Sequence, residues 1–101
     1  MITQLELNVE AYEESEKAEA DLNDVLSSLK SSLRDWPTER VRALEASQAA
    51  FETYCLAQMD LVHGLNEAGS IGPMRRWKEK TCLIRERTKH LKDFQDGLAS
   101  H

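Results

Sequence analysis

Gly69-Ser70-Ile71-Gly72-Pro73-Met74 is the stretch that decides the fold. It is the one cluster of glycine and proline in a chain whose remainder reads as helix, and it lies midway between the only two cysteines, Cys55 and Cys82. A turn here folds the chain back on itself and sets the cysteines level, 14 residues before Gly69 and 13 after it. This predicts a helical hairpin clamped by a Cys55–Cys82 disulfide. Closing a loop of about 27 residues would stabilise by roughly 3.5 kcal/mol in the chain-entropy picture. The competing arrangement is a pair of buried free thiols.

On either side of the turn, apolar residues recur in three-four alternation, the seam of packed helices. Val41, Leu44, Gln48, Phe51, Cys55, Gln58, Val62 and Leu65 mark a helix over about 37–66. Met74, Trp77, Thr81, Ile84, Thr88, Leu91, Gln95 and Leu98 mark another over about 73–96, with Gly97 and the tail expected to fray. Upstream, residues 3–34 hold neither Gly nor Pro and predict a first helix. Thr3 followed by Glu6 has the spacing of a capping box. Leu5, Val9 and Tyr12 give one short stripe, and Leu22, Val25, Leu26, Leu29 and Leu33 a stronger one. Glu13 to Ala20 is almost wholly polar or small, so thin burial is expected there. Asp35-Trp36-Pro37-Thr38 breaks the run, because proline disfavours helical geometry in the residue before it and suits the first turn of the next helix.

Three helices with short links predict an all-α fold: an elongated up-down-up bundle, one domain over 1–101, with the disulfide joining helices two and three. A helix of about 30 residues spans roughly 45 Å, so a rod is expected. The 41% apolar content supports one modest core. No apolar run approaches the roughly 18 residues of a membrane span, and no leader is visible at Met1. The chain is therefore read as cytosolic, or as one whose Met1 replaces a removed leader.

Net charge is −5, unevenly spread. Residues 1–24 are acidic except for Lys17, and residues 73–92 carry Arg75, Arg76, Lys78, Lys80, Arg85, Arg87, Lys89 and Lys92. Two readings follow. Parallel first and third helices neutralise each other, or an acidic face attracts a basic partner.

Catalysis finds little support. No nucleophile elbow, phosphate loop or His-Glu-x-x-His occurs, so the chain is read as a non-enzyme without cofactor. Cys82, Glu86 and His90 share a helical stripe and with Cys55 could sketch a zinc site, but a disulfide would consume both thiols, and no metal is assigned. Arg75, Arg76, Lys78 and Lys80 surround Trp77 as a nucleic-acid patch would, yet the chain is acidic and lacks a binding motif. Trp77 is read as a core anchor beneath the turn. The turn itself is the best interaction surface, with Gly69, Ser70, Ile71, Arg75 and Arg76 as candidate partner-binding residues.

Three segments carry a resemblance: Ser47-Gln48-Ala49-Ala50-Phe51, then Gly69-Ser70-Ile71-Gly72-Pro73-Met74, then Arg85-Glu86-Arg87-Thr88-Lys89-His90-Leu91. Their order and spacing resemble the bacterial LprI-type lysozyme inhibitors. That family shows Ala-Gln-x-x-Trp, a Gly-Ser-Ile-Ala-Pro-Met-like turn and Arg-x-Arg-Thr-x-x-Leu. The opening Thr3-Gln4-Leu5-Glu6-Leu7-Asn8 and Ala20-Asp21-Leu22-Asn23 also look like the family's first helix. Phe51 stands where the family has Trp, Glu10 stands near its N-terminal cysteine, and its hairpin cysteines would fall at about Met59 and Glu79. Here the thiols sit one helical turn further out on both helices, a paired shift that keeps them aligned. The resemblance implies a periplasmic or secreted envelope protein that inhibits lysozyme-type glycosidases, and together with the turn's hydroxyl, glycines and nearby arginines it predicts occlusion of their clefts. It would act as a monomer or homodimer. The runner-up is an immunity-type or chaperone-like protein binding another envelope partner.

Overall fold

The computed structural model describes residues 2–64 and 71–99, the side chain of Ile71 excepted. Among these residues there are three helices and no strand: α1 (Gln4–Ser32), α2 (Thr38–Gly64) and α3 (Ile71–Ala99). They form a rod of 52 × 25 × 16 Å.

α1 starts as the capping pattern predicts. Thr3 is extended, and its Oγ1 accepts from the Glu6 amide at 3.1 Å. The helix closes where the Leu33 amide donates to the Leu29 carbonyl at 2.9 Å. The Trp36 amide then donates to Leu33, and the Arg40 amide to Pro37, both at 3.0 Å. α3 begins two residues ahead of Pro73. Pro73 thus lies in its first turn, where the missing amide has no helical partner to lose. α3 also continues through Gly97 to Ala99 rather than ending near 96.

Side-chain pairs fix the helix directions. Gln4 meets Met74, Glu19 meets Lys80 and Ser28 meets Gln95, so α1 and α3 climb together. Asp60 meets Arg76 and Gln48 meets Arg87, so α2 and α3 run in opposite senses. The core cluster joins Leu22, Val25, Leu29 and Leu33 of α1 and its end to Leu44, Ile84 and Leu91.

The buried face of α1 differs from the expected one in its first half. Leu5, Val9 and Tyr12 are exposed, whereas Ala11, Ser15 and Ala18 are buried. Those three continue directly into Leu22, Val25 and Leu29, at four- and three-residue steps. The Glu13–Ala20 stretch is therefore a seam of small side chains. Small residues at a helix contact let the axes approach closely, so burial is complete without bulk. Ser15 keeps its hydroxyl satisfied by donating to the Tyr12 carbonyl at 2.6 Å.

The opposite charges of α1 and α3 pair across this contact. Lys80 Nζ lies 3.3 Å from Glu19, and Arg85 lies 3.8 Å from Glu14 and 3.6 Å from Asp21. Each is partly solvated and contributes no more than about 1 kcal/mol. The acidic opening segment is thus partly neutralised within the molecule, while Glu6, Glu10, Glu13 and Asp24 remain exposed.

The predicted disulfide is corrected: Cys55 and Cys82 are both free, Cys55 buried and Cys82 exposed. Their heights do match, since the neighbouring cross-hairpin pairs Gln48–Arg87 and Asp60–Arg76 have nearly the same residue-number sum as the cysteines. The angle fails. Cys82 follows the seam residue Thr81, and one residue turns the side chain by roughly 100°. That rotation carries it to the exposed side of α3. Cys55 instead lines the floor of an open cleft of ≈ 260 Å³ with Glu19, Leu22, Met59, Lys80 and Ile84. Its Sγ lies 3.9 Å from Met59 Sδ. Burial pushes the Cys55 thiol up from 9.0, with Lys80 partly offsetting the shift. A raised folded-state value leaves stability intact below about pH 9 and erodes it above, because the unfolded thiol ionises first. A thiol reagent at neutral pH is therefore expected to label Cys82 in the native protein and Cys55 only after unfolding. Equal native labelling of both would contradict this placement.

Candidate functional site

Two regions offer functional side chains, one at each end of the rod. The first is the start of α3. Gly69 and Ser70 lie outside the described residues, as does the side chain of Ile71, which opens the helix. Arg75 is exposed. Arg76 is not equivalent to it: its guanidinium is paired with Asp60 of α2, so it fastens the hairpin. Met74 accepts from Gln4 Nε2 at 3.7 Å. Trp77 is half-buried, edge-on to Tyr12 with centroids 5.0 Å apart and Lys80 over its ring at 5.6 Å. Tyr12 in turn bonds Glu16, which holds its phenol above 10.0. The pole therefore presents Arg75 beside a locked aromatic base. Because α1 and α3 are parallel, the exposed Leu5 and Val9 belong to the same pole.

The second region is a groove of ≈ 510 Å³ at the opposite end, where α2 begins and α3 ends. Trp36, Leu44, Leu91 and Phe94 form its apolar lining, with Arg40 and His90 at the polar edge. Arg40 stacks on Trp36 at 4.4 Å from the ring centroid. The sequence reading missed this groove. Trp36 was legible only as a helix break, and Phe94 lies off the α3 seam. The Trp36/Arg40 spacing of four residues was the available signal.

Behind the groove, two of the sequence motifs meet. Arg87 Nε donates to Gln48 Oε1 at 3.0 Å, and the Arg87 guanidinium lies 5.6 Å from the Phe51 ring. Thr88 Oγ1 donates to the Ile84 carbonyl at 2.8 Å, and Leu91 is buried. The Ser47–Phe51 and Arg85–Leu91 stretches thus form one packing node between α2 and α3. Its electrostatics are strained, because Arg87 Nη2 is buried with no hydrogen-bond partner among the described residues and burial pulls the Arg87 value down. Removing the whole side chain by Arg87→Ala should cost about 2 kcal/mol through the lost charged hydrogen bond and stem packing. Arg87→Met keeps the stem and removes the unpartnered donor, so it should stay within about 1 kcal/mol of the parent. Urea unfolding measures both. Equal losses would show that the guanidinium, not its stem, holds the node.

Cys82, Glu86 and His90 are exposed along one stripe, and Cys55 is turned away from them into the core. Among the described residues no group of three His, Cys, Asp or Glu side chains converges as metal ligands. Four basic residues of α3, Arg76, Lys80, Arg85 and Arg87, are engaged with α1 or α2, and Arg75, Lys78, Lys89 and Lys92 are exposed. No helix among the described residues is long and apolar enough to cross a membrane.

A helical rod with an exposed arginine at one pole and an apolar groove at the other has the make-up of a binding protein. Residues 1–91 match the family described as Lysozyme inhibitor LprI, and the chain belongs to that family. The match spans both motif stretches that meet at Arg87 as well as the α2–α3 turn. The family is one of inhibitors rather than enzymes. No curated protein and no solved structure is significantly similar to the chain.

Proposed function

We propose that this protein inhibits a lysozyme-type peptidoglycan hydrolase by occluding its cleft with the pole that carries residues 69–76. Family membership carries the reading. The exposure of Arg75 at the start of α3 supports the choice of pole. Glycosidase clefts hold a pair of carboxylates. In this mechanism Ser70 hydrogen-bonds one of them, Arg75 supplies positive charge, and Gly69 and Ile71 complete the contact. Arg76 contributes by holding α3 to α2 rather than by touching the hydrolase. The exposed acids Glu6, Glu10 and Glu13 steer the approach of a basic enzyme.

The bundle is read as up-down-up, supported by the parallel α1/α3 and antiparallel α2/α3 pairs. The protein is placed in the bacterial envelope, periplasmic or secreted. That address rests on the family alone, since free thiols remove the support a disulfide would have lent. Occlusion makes a direct test available. A chito-oligosaccharide that fills the hydrolase cleft should compete with the protein for binding. Unchanged affinity at saturating oligosaccharide would place the contact outside the cleft.

A further inference from the structure

The side of α2 turned away from α1 is unusually free of charge. Glu45, Ala49 and Glu52 line a cavity with Leu26 and Lys30 and so face α1. Roughly 160° around the helix, at four- and three-residue steps, run Ala43, Ser47, Ala50, Tyr54, Ala57 and Leu61. All six are exposed, Tyr54 at 54% and Leu61 at 58%. This is a second packing seam on a helix whose first seam is already used. Its upstream end runs into the Trp36–Phe94 groove, because Ala43 and Ser47 line that groove. Phe94, 49% exposed, extends the apolar face onto α3.

We propose that a second copy of this chain covers the face, α2 against α2 in antiparallel register about Ala50. Three observations select this occupant. The face is self-complementary in size. Under a two-fold level with the Ala50–Phe51 peptide, Tyr54 of one copy falls on Ser47 of the other and Leu61 on Arg40, with Ala57 and Ala43 within one residue of each other. Each copy therefore lowers its two large exposed side chains toward the other's groove, as an isologous contact requires. The charges also match. Arg42 and Asp60 share one flank of the seam, 18 residues or five turns apart, so the same operation sets Arg42 beside Asp60 twice. Asp60 already bonds Arg76 and retains lone pairs for a second guanidinium. Finally, the contact joins the groove and the seam into one continuous surface. The start of α3 stays clear, so the dimer carries an Arg75 pole at each end.

The test is sedimentation equilibrium of the protein and of Ala50→Glu. Ala50 is exposed within α2, so glutamate there leaves the monomer folded, and circular dichroism checks this. The pairing sets two glutamates face to face, which should raise the dimer dissociation constant at least about tenfold. In a Cys82→Ser background, Ala50→Cys should form an interchain disulfide, and Glu45→Cys, on the α1 side, should not. A parent chain that stays monomeric at about 100 μM overturns the proposal, as does a dimer indifferent to Ala50→Glu. A monomeric parent whose hydrolase binding is lost in Ala50→Glu would also overturn it, assigning the face to the hydrolase. That outcome is separable from the pole-occlusion reading, which is tested at Ser70 and Arg75.

Discussion

Leu29→Ala is expected to destabilise the protein by about 2–5 kcal/mol, the range for truncating a fully buried leucine. Leu29 has 0% exposure and sits where the α1 seam meets the core cluster. Domains of this size carry only about 5–15 kcal/mol, so the variant should lose roughly 10–30 °C in Tm. The informative control is Leu5→Ala. Leu5 is 72% exposed, so its truncation should change stability by less than about 0.5 kcal/mol. The pair therefore reports which stripe of α1 packs inward. A costly Leu5→Ala with a mild Leu29→Ala would reverse the assignment of the core face.

Ser70→Ala combined with Arg75→Ala should abolish most inhibition while leaving the fold intact. Arg75 is exposed and makes none of the ion pairs found among the described residues, so its loss removes a partner contact rather than a brace. A hydroxyl and a guanidinium that both address cleft carboxylates would act as hot spots, worth about 2–4 kcal/mol together, or roughly 30- to 700-fold in the inhibition constant. Arg76→Ala makes the discriminating comparison. It breaks the bond to Asp60, so its effect should appear first in the melting of the α2–α3 hairpin and only secondarily in inhibition. Equal inhibition by the parent and the double variant would remove the pole from the mechanism.

The helical architecture was legible because breakers are few and the seams are long. Every residue of the α3 alternation from Met74 to Leu98 is buried or half-buried, and Thr3 caps α1 as its spacing implies. Two features of the fold were not legible, for definite reasons. Hydrophobic periodicity weights bulk, so the Ala11-Ser15-Ala18 seam was hidden behind the larger but exposed Leu5, Val9 and Tyr12. The cysteine argument used height along the hairpin, a one-dimensional quantity. Bonding also needs the angle around each helix, and Cys82 has the wrong one. At the candidate site, the turn motif and its neighbouring arginines could be marked in advance, but the different fates of Arg75 and Arg76 depend on where Asp60 falls across the hairpin. The Trp36–Phe94 groove joins residues nearly 60 positions apart, and beyond the Trp36/Arg40 spacing no local pattern announces such a meeting.

Inhibition itself is the most direct measurement. Lysis of bacterial cell walls by lysozymes of several classes should be followed while the purified protein is titrated in. The account predicts that at least one class slows in proportion to added protein and stops near one pole per enzyme, with the Ser70/Arg75 double variant inert. Lysis that proceeds at full rate for every class under a large molar excess would contradict it.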